Sequence, residues 1–114
     1  MSASSIGLFG GTFDPVHSGH FASAEAALQA YDFCKIVFIP AGDPYLKSDI
    51  ADSVISTPKD RVEMVRLALE HHGNPRFELS EVETQREGPS YTLDTARLFA
   101  VDNPQSEIVI ILGM

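Results

Sequence analysis

The chain has 114 residues, 44% apolar and 21% charged, with 16 acidic against 8 basic residues and a formal charge of −8. These proportions are those of a single small globular domain, residues 1–114, with one modest core. The acidity repels phosphodiester backbones and anionic lipid heads, which excludes a general nucleic-acid or membrane-surface binder, and no apolar run approaches the roughly 18 residues of a membrane span.

Met1–Ser5 has neither a charged n-region nor an apolar h-region, so no signal peptide is expected and a cytoplasmic setting fits. The apolar run Ile6–Phe9 predicts the first strand. Helical spacing from Ser18 to Ala30 places Phe21, Ala24, Ala27 and Leu28 on one stripe. Lys35–Ile39 predicts a second strand, and Cys34 beside it, the only cysteine, reads as a buried inert thiol. Asp43–Ser56 is the longest irregular stretch and reads as an active-site loop. A second helix opens at Thr57-Pro58, with a capping threonine and proline at the first helical position. It carries Val62, Val65 and Leu69, and His71-His72-Gly73 ends it, the histidines meeting the negative end of the helix dipole. Arg76–Val82 predicts a third strand. A third helix runs from about Thr92 to Val101, stopped by Asn103-Pro104, and Glu107–Leu112 predicts the last strand. The second and fourth strands are apolar without alternation, as expected of strands covered on both faces.

The order β-α-β-α-β-α-β predicts an α/β fold, a Rossmann-like doubly wound parallel sheet. Ligands of such sheets bind beyond the carboxyl ends of the strands. The chemically informative residues fall there: Gly10–His20 after the first strand, Pro40–Lys47 after the second and Gly113 after the fourth.

Gly10-Gly11-Thr12-Phe13-Asp14-Pro15-Val16-His17-Ser18-Gly19-His20 is the most informative stretch. Two glycines after a strand suit a tight turn and bring bare backbone N–H groups to a ligand. Thr12 adds an N–H and a hydroxyl, and Asp14 is expected to accept local backbone N–H groups rather than act as a base. His17 and His20, three residues apart at a helix start, join the unpaired N–H groups and positive end of the dipole. Donors and partial positive charge converge there, which suits a phosphate. A glycine pair alone is often only a turn, and a histidine pair at this spacing is half of a zinc site. Cys34, His71 and His72 belong to other segments, however, so no metal set is expected. The stretch matches neither the Walker loop nor the three-glycine dinucleotide fingerprint.

Gly-Gly-Thr-Phe-Asp-Pro-Val-His-x-Gly-His resembles the signature of the nucleotidyltransferase superfamily with a His-x-Gly-His motif, and is most similar to the bacterial nicotinate-nucleotide adenylyltransferases. Ile39–Lys47 resembles their loop after the second strand, Arg61 through Ala68 with Met64 their Arg-x-x-Met helix, and Glu83 with Gly88–Thr95 their Glu…Gly-x-Ser-Tyr-Thr-x-Asp-Thr run. The resemblance covers Ile6 to Gly113. It implies adenylyl transfer from ATP to nicotinate mononucleotide, giving the dinucleotide and pyrophosphate in NAD biosynthesis, with magnesium arriving on ATP. His17, His20 and Lys47 would be catalytic. Gly10, Gly11, Thr12 and Phe13, with those three, would bind ATP, and Ser90, Tyr91 and Thr92 the pyridine nucleotide. Ser90 or Thr92 as mere helix caps, and Asp94 or Thr95 as mere supports of the first turn, are the plainer alternatives.

Two departures stand out. The family loop carries Pro-Pro-His before its basic residue, where this chain reads Pro44-Tyr45-Leu46-Lys47. The family also continues past the glycine after the fourth strand, whereas this chain stops at Met114. A truncated product holding the first half of the site is therefore expected, with weak nucleotide binding, little turnover, and an uncovered sheet edge that invites a homo-oligomer. Phosphopantetheine adenylyltransferase is the nearest alternative within the superfamily, and a non-catalytic remnant acting as a binding or partner domain is the alternative outside catalysis.

Overall fold

The computed structural model describes residues 4–42, 56–85 and 92–111. Its elements are β1 (Ser4–Gly11), α1 (Ser18–Ala30), β2 (Phe33–Pro40), α2 (Pro58–His72), β3 (Phe77–Leu79), α3 (Thr92–Asp102) and β4 (Ser106–Ile111). All three strand pairings are parallel, in the order β3-β2-β1-β4. The chain winds outward from β1 through β2 to β3, then returns past β1 to lay down β4. Strand order therefore reverses beside β1, and the crevice at its carboxyl end is the ligand position for this class of sheet.

Alternation along the strands divides the core. On one face Phe9, Phe33, Ile36, Phe38 and Phe77 pack with Phe21 and Ala24 of α1 and Val65 of α2. On the other, Ile6, Leu8, Val37 and Ile39 pack with Ala96 and Phe99 of α3. The apolar stripes read from the sequence are thus the faces that pack. Thr57 caps α2 by accepting from the Asp60 N–H at 3.2 Å, Pro58 opens the helix, and Gly73 closes it at φ 79. Gly7 makes room inside the sheet, since a Cβ there would sit 2.8 Å from Ile111 Cδ1 and 3.2 Å from Ile36 Cγ1.

Several expectations need correction. β2 is covered on both faces, whereas β4 is covered only in part: Val109 and Ile111 pack on one core cluster and Ile108 on the other, all partly buried, and Ile110 remains 41% exposed. β3 is shorter than Arg76–Val82, because after the Ser80 N–H bonds the Phe38 carbonyl the chain curls into a turn closed by Gln85 N–H on the Glu81 carbonyl. His72 does more than meet a helix dipole. Its ring stacks on Phe21 at 4.6 Å and Phe77 at 5.5 Å, and its Nε2 lies 2.7 Å from Glu25, tying α2 to α1. Asn74 and His72 together hold the Glu25 carboxyl below its usual range.

Cys34 is exposed rather than buried. Ser5 pairs with Phe33 but Ile6 with Lys35, so Cys34 is the extra residue of a bulge and is turned out of the ladder. No helix among the described residues is long and apolar enough to cross a membrane. The native protein should therefore react with an aromatic disulfide reagent at one thiol without denaturant. A thiol silent until urea is added would contradict this exposure.

Candidate functional site

The glycine pair is not the turn. Gly10 and Gly11 complete β1, opposite Ile39 and Pro40, and the Gly11 carbonyl accepts the Ala41 N–H at 2.8 Å. A Cβ at Gly10 would meet only the Ile39 carbonyl oxygen, at 3.8 Å, so the strand ends in bare, approachable backbone. The reversal is made instead by Phe13 at φ 52. A left-handed conformation costs a side-chain-bearing residue about 1 kcal/mol. Burial of the Phe13 ring offsets it, through edge contacts to Phe9 at 5.7 Å and His20 at 4.9 Å. Phe13 can therefore face a ligand only through its backbone.

After the cis Asp14–Pro15 bond, His17 caps α1. Its Nδ1 accepts the Gly19 N–H at 3.1 Å, and the His17 N–H in turn donates to His20 Nδ1 at 2.9 Å. The two rings lie 3.9 Å apart. With Nδ1 engaged as acceptor, each neutral imidazole carries its proton on Nε2, and the pair presents two Nε2–H donors at the positive end of the helix. Burial and the neighbouring His17 push the His20 pKa below 6.5, which favours that neutral form. Gly19 is required by this arrangement, since a Cβ there would sit 2.9 Å from His17 Cε1 and 3.0 Å from its Nδ1.

Beneath these groups lies Arg61, only 1% exposed. Its Nε donates to the Ser56 carbonyl at 3.0 Å, Nη1 to Thr12 at 3.0 Å and to Ala41 at 2.6 Å, and Nη2 to Gly42 at 3.3 Å. One side chain thus holds the segments after β1, after β2 and before α2. Burial lowers its pKa, while the Asp14 carboxylate opposes that shift. Asp14 accepts a backbone N–H as expected, but from Ser56, 42 residues away, at 2.8 Å. Arg61 entered above only as part of the Arg-x-x-Met resemblance, yet a signal of this role is present in the chain: it lies on the buried side of α2 with Val62 and Val65, and a charge there must find oxygens.

Buried Thr95 donates to Glu83 at 2.7 Å, joining the first turn of α3 to the turn after β3. That turn presses on Gly42, where a Cβ would overlap the Glu83 carbonyl. Thr95 therefore does more than support its own helix. Lys47, Ser90 and Tyr91 lie outside the described residues, as does the Thr92 side chain, although Thr92 opens α3. Among the described residues no group of three His, Cys, Asp or Glu side chains is arranged to hold a metal.

Gly19→Ala should lower stability by about 1 kcal/mol in urea, because expelling the His17 cap outweighs the usual gain of alanine over glycine in a helix. A stabilised variant would contradict the capping geometry. His20 has a depressed pKa in the fold, so the unfolded chain takes up its proton first as pH falls. Its contribution to stability should be complete above pH 6.5 and should decline as pH drops through the lower folded value, an effect that His20→Gln should abolish in acid denaturation curves.

Residues 8–113 match the family described as cytidylyltransferase-like. The chain is 41% identical over 114 residues to a Dehalococcoides mccartyi protein named "Probable nicotinate-nucleotide adenylyltransferase", covering 99% of this chain and 53% of that one. It is 42% identical over 108 residues to an Opitutus terrae protein of the same name, covering 95% and 53%. The chain thus spans about half the length of these curated relatives. In structure it superposes on the Plasmodium falciparum nicotinic acid mononucleotide adenylyltransferase complexed with NaAD, with a TM-score of 0.73 at 16% identity, covering 96% of this chain and 52% of that one. That likeness supports the fold, and the match across almost all of its length places the chain in the cytidylyltransferase-like family of nucleotidyltransferases.

Proposed function

We propose that this chain forms the phosphate-binding half of an adenylyltransferase that joins nicotinate mononucleotide to the AMP part of ATP. The observation that carries the reading is the pair of Nε2–H donors on His17 and His20 beside the bare strand end at Gly10. The names of the relatives and of the Plasmodium structure, complexed with the dinucleotide, support the choice of acceptor.

In this reaction an oxygen of the mononucleotide 5′-phosphate attacks the α-phosphorus of ATP in line, the bond to the bridging oxygen breaks, and pyrophosphate leaves. No covalent bond to the enzyme forms, so alignment and charge stabilisation suffice. His17 and His20 donate to the α-phosphoryl oxygens and the departing pyrophosphate, where negative charge grows. As neutral donors held by their own cap, they need no proton uptake to do so. Thr12 and the backbone from Gly10 to Phe13 line the phosphate, and Lys47 adds charge from the loop after β2. Ser90, Tyr91 and Thr92 meet the pyridine nucleotide at the start of α3, where helix-terminal N–H groups suit the nicotinate carboxylate. Magnesium would arrive with ATP, held largely by its phosphates and water. Residues 1–114 form the N-terminal portion of a single nucleotidyltransferase domain, in the cytoplasm.

The assay is adenylyl transfer from magnesium ATP to nicotinate mononucleotide, nicotinamide mononucleotide and phosphopantetheine, with CTP as a control donor. Nicotinate mononucleotide should be the preferred acceptor in a chain of the relatives' full length, with little turnover from these 114 residues alone. Preference for phosphopantetheine or CTP would overturn the assignment, and nucleotide binding without turnover in the longer protein would favour a non-catalytic binding role. His17→Ala with His20→Ala should weaken ATP binding at least about tenfold. Unchanged binding would remove the phosphate site itself.

A further inference from the structure

We propose that Arg61 builds the anion site from below, by drawing the carbonyls of three segments inward so that their N–H groups face outward to the phosphate. This rests on the phosphate-site reading and assigns the residue that positions it.

In a trans peptide the N–H points opposite to the C=O of the same unit. Guanidinium N–H groups hold the carbonyls of Thr12, Ala41 and Ser56, so the amides of Phe13, Gly42 and Thr57 are directed away from Arg61. Two of these peptides flank the carboxyl ends of β1 and β2, where the Gly10 strand end and the histidine pair lie. A buried cation on a carbonyl also polarises that peptide, making its N–H a stronger donor. The chain carries a formal charge of −8, yet this end of the sheet holds a guanidinium 1% exposed among neutral oxygens. The Asp14 carboxylate offsets part of this charge, but the guanidinium's own hydrogen bonds run to neutral carbonyls, so it polarises those peptides without exposure to solvent screening. Only arginine suits the position. Its planar fork spans separate carbonyls at once, while the shorter lysine ammonium concentrates its donors at one point.

Arg61 is thus a positioning residue that touches no ligand, and its loss has two signatures. Without ligand, Arg61→Lys should free the segments together, so hydrogen exchange should accelerate at the Ala41 N–H, bonded to Gly11, and at the Ser56 N–H, bonded to Asp14. The Tyr31 N–H, bonded to Ala27 at the far end of α1, serves as control and should be unchanged. With ligand, calorimetry or NMR titration of the full chain uses magnesium ATP, inorganic pyrophosphate and uncharged adenosine. In Arg61→Lys, and in Arg61→Met if it folds, ATP and pyrophosphate affinity should fall at least about tenfold while adenosine affinity holds within about twofold. A fall shared equally by adenosine, or exchange that rises at Tyr31 as much as at Ala41 and Ser56, would mean a general structural role and overturn the proposal. Unchanged exchange at Ala41 and Ser56 would overturn it as well. Wild-type protein that ignores ATP and pyrophosphate would overturn the phosphate reading instead, and the ligand-free exchange would still decide whether Arg61 orders the segments.

Discussion

The buried guanidinium of Arg61 is the constraint from which the ligand end of this molecule follows. A charge removed from water is tolerated only where its hydrogen-bonding groups are engaged. Here the partners are backbone carbonyls of Thr12 after β1, Ala41 and Gly42 after β2, and Ser56 before α2, groups that need partners of their own where the chain leaves regular structure. Cation and carbonyls solve each other's problem. Asp14 adds to this junction from outside, fastening Ser56 to the first loop and counterbalancing the charge.

Around that junction the site is assembled from pieces that need one another. The Phe13 ring fills the core and so permits a left-handed turn; the turn delivers His17 to the start of α1, and His17 and His20 cap the helix reciprocally. The caps engage both Nδ1 atoms, leaving Nε2–H groups as donors. Gly19 is small because the His17 ring lies over it. Pressure from the Glu83 turn on Gly42, and the Thr95 hydroxyl on Glu83, extend the same framework to α3, where the acceptor-binding run is placed by resemblance. Histidine, glycine and phenylalanine in the first motif thus hold one another in place, which explains why one short stretch is so informative.

Much of this was legible in the residues. Apolar periodicity, Thr57-Pro58 and Gly73 marked elements that the fold reproduces closely, and alternating strands and helices implied the parallel sheet. The eleven-residue motif pointed to phosphate chemistry and to the family. The errors share a cause. Cys34 beside an apolar run looked buried, but a one-residue bulge turned it outward. Gly10-Gly11 looked like the turn, but strand pairing carried the ladder through both, and the turn fell to Phe13. Arg61 was marked only by its resemblance to a motif and His72 only as a helix-end residue, since nothing local shows which distant oxygens or rings will meet them.

By itself, then, the sequence determined the order and type of the elements, the faces they bury, and the chemistry offered at the first strand's end. These depend on local spacing and composition, which a linear chain displays in full. Tertiary structure decided which carbonyls turn inward and which cation holds three separated segments together. Those outcomes depend on contacts between residues tens of positions apart, and the partners of a buried charge exist only once the sheet has brought them within hydrogen-bonding distance.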